Sequence, residues 1–425
     1  MISAIVIIFC VAYAAIALEH PIRINKAATA LIGAGLLWTV YAVVTKDTAL
    51  VTSQLNESVA TTAQIIFFLI GAMTIVEVID AHDGFEVITS RISTTSQVRL
   101  MWLIGFVTFF LSAILDNLTT TIVMVSLIQR LIARRDDRLL FASLIVIAAN
   151  AGGAWTVIGD VTTTMLWIGG QITPLKIMGS VFLPSLVNLL VPLAFISLLV
   201  KGKSIAPPPK DDGVQLVGSF ERNLMFYLGL GVLISVPAFK AVTHLPPFMG
   251  VLLGLGIVWL VGEVVHRDKD EHVRRPLTLA HALTRIDMSS IVFFLGILLA
   301  VACLEHAGLL SMLARWLEAT IGRQDVIVVV LGLLSAVIDN VPLVAASMGM
   351  YSLSQFPPDS FLWEFVAYCA GTGGSILIIG SAAGVAAMGL ENIHFFWYVR
   401  RISGIALLGY FAGAIAYIIQ YNLLH

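Results

Sequence analysis

Long apolar runs separated by short polar breaks extend through the whole chain. Runs near 1–18, 26–44, 62–80, 139–170, 176–200, 223–240, 247–265, 288–304, 361–389 and 395–420 approach or exceed the length a helix needs to cross a hydrocarbon core about 30 Å thick. The pattern predicts about ten crossings. Two further runs, 100–135 and 324–355, are too long for one ordinary crossing, and Asp116-Asn117 and Asp339-Asn340 interrupt them at the centre. Both are expected to be re-entrant helical hairpins, entering and leaving the membrane on one side. The runs 139–170 and 361–389 contain Gly-rich polar stretches and read as interrupted helices. Segments 84–98 and 306–322 look amphipathic and are expected to lie along the interface. The fold class is an all-α polytopic membrane protein.

Composition agrees: 59% of residues are hydrophobic and only 12% charged, about half the charged share of a soluble domain. The net charge of −2 gives no reason to expect a nucleic-acid partner. The distribution of charge says more. With loop 19–26 taken as cytoplasmic, only Lys46, Lys176, Lys240, Arg315 and Arg323 of the 24 basic residues fall outside the cytoplasm. Reading either hairpin as a full crossing would destroy that bias. Both termini are then expected outside the cytoplasm. Met1–Leu18 lacks a basic leader and an Ala-x-Ala site, so a retained first span is expected. Cys10, Cys303 and Cys369 lie in apolar stretches with neither disulfide nor zinc spacing, and read as small core residues.

The two halves repeat. Leu111-Ser112-Ala113-Ile114-Leu115-Asp116-Asn117 matches Leu334-Ser335-Ala336-Val337-Ile338-Asp339-Asn340 at an offset of 223 residues. Asn150-Ala151-Gly152-Gly153 with Gly159-Asp160 matches Gly371-Thr372-Gly373-Gly374 with Gly380-Ser381 at an offset of 221. Residues 1–200 form the first expected repeat, 201–222 a cytoplasmic linker around Pro207-Pro208-Pro209, and 223–425 the second repeat. Five crossings and a hairpin per half make the second half inverted relative to the first, a recurring plan of secondary transporters.

Four polar islands interrupt the apolar sequence: Asp116-Asn117-Leu118-Thr119-Thr120-Thr121, Asn150 through Thr164, Asp339-Asn340-Val341-Pro342, and Gly371-Thr372-Gly373-Gly374-Ser375 through Gly384. Glycines let the backbone leave helical geometry, and the freed carbonyls join Asn, Thr and Ser oxygens as hard ligands of the kind Na+ takes. An ionised side chain at mid-membrane costs about 2.5–3.5 kcal/mol on insertion scales. Cation binding can offset that cost, and so can protonation, so one carboxylate for which the two compete is sufficient for antiport. The plainer reading is that each Asp-Asn caps the helix after it. Two matched Asp-Asn tips together with two matched Gly-Gly breaks favour ion binding, and capping can coexist with it. Glu77, Asp80, His82 and Asp83 near one span end, and Glu305 and His306 near its counterpart, fit interfacial positions or proton access. The remaining histidines, His266 among them, fall in loops or at ends, where no chemical role is expected. Most tryptophans sit near span ends as expected anchors, with Trp155 inside a break.

At these islands the sequence resembles the NhaD type of sodium/proton antiporters, within the ion transporter superfamily. Asp116-Asn117-Leu118-Thr119-Thr120, Asn150-Ala151-Gly152-Gly153-Ala154-Trp155-Thr156, Gly159-Asp160-Val161-Thr162-Thr163, Asp339-Asn340-Val341-Pro342 and Gly371-Thr372-Gly373-Gly374-Ser375 carry the likeness. The resemblance implies exchange of Na+, often Li+, for H+ across a bacterial cytoplasmic membrane at alkaline pH. It also implies a homodimer whose hairpins belong to a moving transport domain. Functional roles carry over to Asp116, Asn117, Asn150, Asp160, Thr162, Thr163, Ser335, Asp339, Asn340 and Ser375, and the islands add Thr120 and Thr372. Na+ is expected at Asp116, Asn117, Asn150 and Asp160. Because Ser381 stands where the first half has Asp160, binding is expected to be stronger on the first-half side, with Asp339 second to Asp160 and Asp116. No cofactor is expected beyond the transported Na+ and H+.

A sodium-coupled dicarboxylate carrier or an arsenite or oxyanion permease of the same superfamily is the nearest rival. Acidic Asp at both tips would repel an anion. A channel would need a continuous polar pore, whereas these groups cluster at one depth. The chain has no His-Glu-x-x-His, so membrane proteolysis has no visible machinery and no enzymatic role is expected.

Overall fold

A computed structural model describes residues 2–17, 19–22, 24–89, 94, 96–199 and 217–424. Most of the linker expected at 201–222 and part of the segment at 84–98 lie outside the described residues. The described residues form helices and no strand. The main helices are α1 (Ile2–Ala17), α2 (Lys26–Thr45), α3 (Thr48–Ala81), α4 (Gln97–Leu115), α5 (Asn117–Leu131), α6 (Arg135–Gly153), α7 (Val161–Ile168), α8 (Pro174–Leu199) and α9 (Ser219–Thr243). They continue as α10 (Pro247–Val265), α11 (Met288–His306), α12 (Leu309–Ile321), α13 (Gln324–Leu334), α14 (Asn340–Met350), α15 (Phe361–Gly373), α16 (Ala382–Glu391) and α17 (Gly404–Leu424).

Eight helices among the described residues are long and apolar enough to cross a membrane. Many helices start on caps that the sequence supplies. Asn25 accepts a hydrogen bond from the Ala27 amide at the start of α2, Asp47 from Leu50 at α3 and Asp287 from Ser290 at α11. Pro247 opens α10, where a missing amide hydrogen costs nothing. The α2–α3 corner turns on Lys46 in the left-handed region.

The apolar run at 62–80 underestimates α3. Its helix begins at Thr48, because Asp47 caps it there and nothing between breaks it. The added turns carry Gln54, Glu57 and Ser58, so polarity hid them from a hydropathy reading. Ser58 Oγ lies 3.1 Å from His306 Nε2 at the end of α11. Segment 306–322 does contain a helix, α12, while at 84–98 the described helix is the single turn Glu86–Thr89.

Packing assembles helices distant in sequence. Trp38 Nε1 donates to the Leu299 carbonyl at 2.9 Å, tying α2 to α11. α8, with Pro184 and Pro192 inside it, lies along α17, where Gly409 meets the Pro192 ring. Not every tryptophan is an interfacial anchor: Trp363 and Trp167 are buried in the core. Cys303 and Cys369 are buried as expected, but Cys10 is exposed on α1.

Each Asp-Asn run is a pair of helices with its break where the sequence put it. α4 and α5 meet at Asp116, and α13 and α14 are separated by 335–339. Each Gly-rich run is likewise two helices: α6 and α7 around 154–160, and α15 and α16 around 374–381. The same contacts recur in both halves. Ser112 Oγ donates to the Ala149 carbonyl at 2.6 Å, and Ser335 Oγ to the Ala370 carbonyl at 2.8 Å. Gly152 presses against the backbone at Phe109 and Gly373 against the backbone at Gly332, approaches that leave no room for a Cβ. Small residues let each helix pair lie directly on the broken helix beside it.

Candidate functional site

Four helix N-termini converge where the breaks meet, and each is capped by its own polar residue. Asp116 caps α5, accepting from the Thr119 amide at 2.9 Å and the Thr119 hydroxyl at 2.8 Å. Its φ of 85° is a strained conformation for a non-glycine residue. Asp160 caps α7 through the Thr162 amide and hydroxyl, at 2.8 and 2.9 Å. Asp339 caps α14 through the Val341 amide at 3.3 Å, and Ser381 caps α16 through the Gly384 amide at 3.2 Å. Positive helix ends thus face the carboxylates from both halves.

Asp160 is the hub. Its Oδ2 accepts from Asn117 Nδ2 at 2.6 Å and from Asn340 Nδ2 at 3.3 Å, so both hairpin tips reach one carboxylate. Asn117 also donates to Asn150 Oδ1 at 3.0 Å. Asn150 in turn donates to Ser375 Oγ and Ser381 Oγ, both at 2.9 Å. The result is one continuous network, Ser375 and Ser381 to Asn150 to Asn117 to Asp160 to Asn340, crossing between the halves. All of these side chains are buried, Asp160 at 1% exposure.

The hub has neutral donors and no cationic side chain. Among the described residues, no Lys, Arg or His forms an ion pair with Asp160 or Asp116. A buried carboxylate arranged in that way has its lone pairs satisfied and its charge uncompensated. The Asn amides can present either face, Nδ2 to a carboxylate or Oδ1 to a cation. Asp116, Asn117 and Asp160 also line a cavity of about 40 Å³ with Ser290, Phe68 and Phe294. That volume suits an ion with a water or two. Met73 and Leu118 border both this cavity and a vestibule of about 520 Å³. Glu77, Asp80, Asp83, Glu86 and Asp287 line the vestibule against Arg130 and Arg285, an acidic balance that concentrates cations.

Other residues singled out in the sequence sit around the hub without joining it. Thr163 and Thr372 donate their hydroxyls to carbonyls of their own segments, Asp160 and Tyr368. The Ser335 hydroxyl is spent on the hairpin contact described above. The Thr120 hydroxyl is buried on α5 with no hydrogen-bond partner. Asp339 forms an ion pair with Lys26, at 3.3 Å. Sequence reasoning missed Lys26, which reads as an ordinary loop cation. Ser381 was legible only as the counterpart of Asp160, and proves to be a network member. No group of three or more His, Cys, Asp or Glu capable of holding a metal ion occurs among the described residues.

A family model described as citrate transporter matches residues 7–371. Sodium/proton antiporter 1 of Arabidopsis thaliana is 50% identical over 420 residues, covering 99% of this chain and 73% of that protein. The Na(+)/H(+) antiporter NhaD of Alkalimonas amylolytica is 31% identical, covering 95% of this chain and 88% of that protein. Among solved structures, the YdaH transporter of Alcanivorax borkumensis superposes with a TM-score of 0.59 at 12% identity, over 94% of this chain and 99% of that one. The family match over residues 7–371 and the 31% identity to NhaD over most of both chains settle the relationship of this multi-pass membrane protein: the chain belongs to the NhaD type of sodium/proton antiporters, within the citrate-transporter family.

Proposed function

We propose that the chain is a carrier, not an enzyme, and exchanges Na+, and Li+ with it, for H+ by alternating access. The observation that carries this reading is Asp160: a buried carboxylate whose hydrogen-bond partners are all neutral, reached by the asparagines of both tips. A cation or a proton neutralises it, and the two exclude one another. On binding, Na+ takes Asp160 with Asp116, while Asn117, Asn150 and Asn340 turn carbonyl oxygens toward it. Thr162, Thr163, Ser335, Thr372 and Ser375 hold the surrounding backbone and side chains in place, while the buried Thr120 hydroxyl keeps its hydrogen-bonding capacity unspent. The matched Ser112 and Ser335 contacts support an inverted repeat whose hairpins move together with the broken helices. The basic residues bordering the vestibule support a cytoplasmic opening, and with it both termini on the opposite face of an inner membrane. A homodimer completes the proposal, in keeping with the resemblance.

The family name raises citrate as a second substrate class. Citrate is far larger than the 40 Å³ cavity beside Asp160, and the carboxylates at both tips would oppose a trianion. Proteoliposomes with an acidic interior and a pH-sensitive dye decide between them. Added Na+ should dequench the dye between pH 7 and 9.5, and Asp160→Asn, which keeps a cap but loses the charge, should abolish the response. No sodium response from inserted wild-type protein, together with uptake of labelled citrate, would overturn the reading.

A further inference from the structure

One cation comes close to the site without a place in the network. Lys26 opens α2, and its Nζ stands 3.3 Å from Asp339 Oδ2 and 4.4 Å from the centre of the Phe293 ring. The pair is mostly buried, its side chains 19% and 12% exposed. The other oxygen of Asp339 caps α14, so the ion pair is rigidly joined to the second hairpin tip. The next residue, Asn340, donates to Asp160. Asp339 and Asp160 are near enough for their charges to interact.

Among the described residues the first half shows no equivalent: Asp116 spends both oxygens on Thr119 and pairs with none of the described cations. At the repeat offset, the positions facing Lys26 in sequence are Pro247, Phe248 and Met249. A positive charge beside a cation site is a cost unless it is useful, and its effect falls on one tip alone.

We propose that Lys26 is the internal counter-ion of the second hairpin tip and sets the affinity of the transporter for its cation. The ammonium occupies Asp339, so the transported cation is left to Asp160 and Asp116, and it meets one negative charge fewer than the carboxylates alone would present. Affinity is thereby held down, which favours release after each passage. This proposal rests on the sodium/proton reading above.

Three variants test it in the same proteoliposomes, with detergent size-exclusion profiles and sodium-dependent thermal shifts as checks on folding and binding. Lys26→Met keeps the stem and frees Asp339, so the KM for Na+ should fall roughly tenfold. Asp339→Asn leaves the Lys26 charge unbalanced, so KM should rise by a similar factor. The double variant should return toward the wild-type value. Opposite shifts that cancel are the signature of charge, since structural damage would move both singles the same way. Unchanged KM in both singles, or a rise in both, overturns the proposal. Should Lys26→Met fail to insert, Asp339→Asn against the double variant still decides, because KM must drop on removing the ammonium. If the wild type itself ignores Na+, the antiport reading has failed, and that result is distinct from a responsive wild type with unmoved variants.

Discussion

Asp160 divides two roles between the two oxygens of its carboxylate. Oδ1 holds the start of α7 through Thr162, while Oδ2 faces the asparagines of both tips. The sequence marked Asp160, Asn117, Asn150 and Asn340 because polar residues in apolar runs stand out. It could not mark Lys26, because a lysine at a helix start is commonplace and its partner lies 313 residues away. It also could not separate Thr162, whose hydroxyl touches the hub, from Thr163, whose hydroxyl turns back to a carbonyl. That difference is set by helix phase, one residue apart. The glycines give a test at this scale. A Cβ at Gly152 would run into the Phe109 carbonyl, whereas one at Gly35 meets nothing within 4 Å. Gly152→Ala should therefore cost about 1–3 kcal/mol or more and lower the thermal midpoint of purified protein. Gly35→Ala should leave the midpoint unchanged or raise it slightly.

The breaks were the most legible elements, since Asp-Asn and Gly-Gly in apolar runs have few other uses. Helix lengths were less so: α3 begins well before its apolar stretch because a cap sets its start, and caps do not register in hydropathy. Contacts between helix ends were not legible at all. His82 ends α3 and His266 ends α10; the rings stack 4.9 Å apart, and Nε2 meets Nε2 at 3.1 Å. His82 Nδ1 donates to the Val78 carbonyl, so in the neutral pair its Nε2 accepts a hydrogen bond from His266 Nε2–H. Burial, then His82 beside it, pushes His266 down to about 4, and burial lowers His82 as well. Lys269 adds repulsion, while Glu221, Glu263 and Asp83 offset part of it. Because both values lie below the ordinary histidine value of 6.5, the stability this pair gives is complete above that pH and declines as pH falls toward 4. Thermal midpoints measured from pH 8 to pH 5 should fall more steeply in wild type than in His266→Gln. Equal slopes would show that the pair contributes nothing to acid sensitivity.

At the scale of the molecule, the vestibule and the small cavity lie on one side of the hub, joined at Met73 and Leu118. Ser126 on α5 lines the vestibule and reports on its sidedness. With Cys10, Cys303 and Cys369 replaced, Ser126→Cys should react with an impermeant maleimide in everted vesicles and not in right-side-out ones. The reverse pattern would invert the proposed orientation. The caps at the four breaks also bear on where charge sits along the site. Aspartate and serine are nearly interchangeable as helix starters. At the paired positions 160 and 381, each still begins its helix through a side-chain oxygen. Exchanging a carboxylate for a hydroxyl at such a position cancels a charge while leaving the helix start standing. The charge carried at a break is thus separable from the fold that presents it.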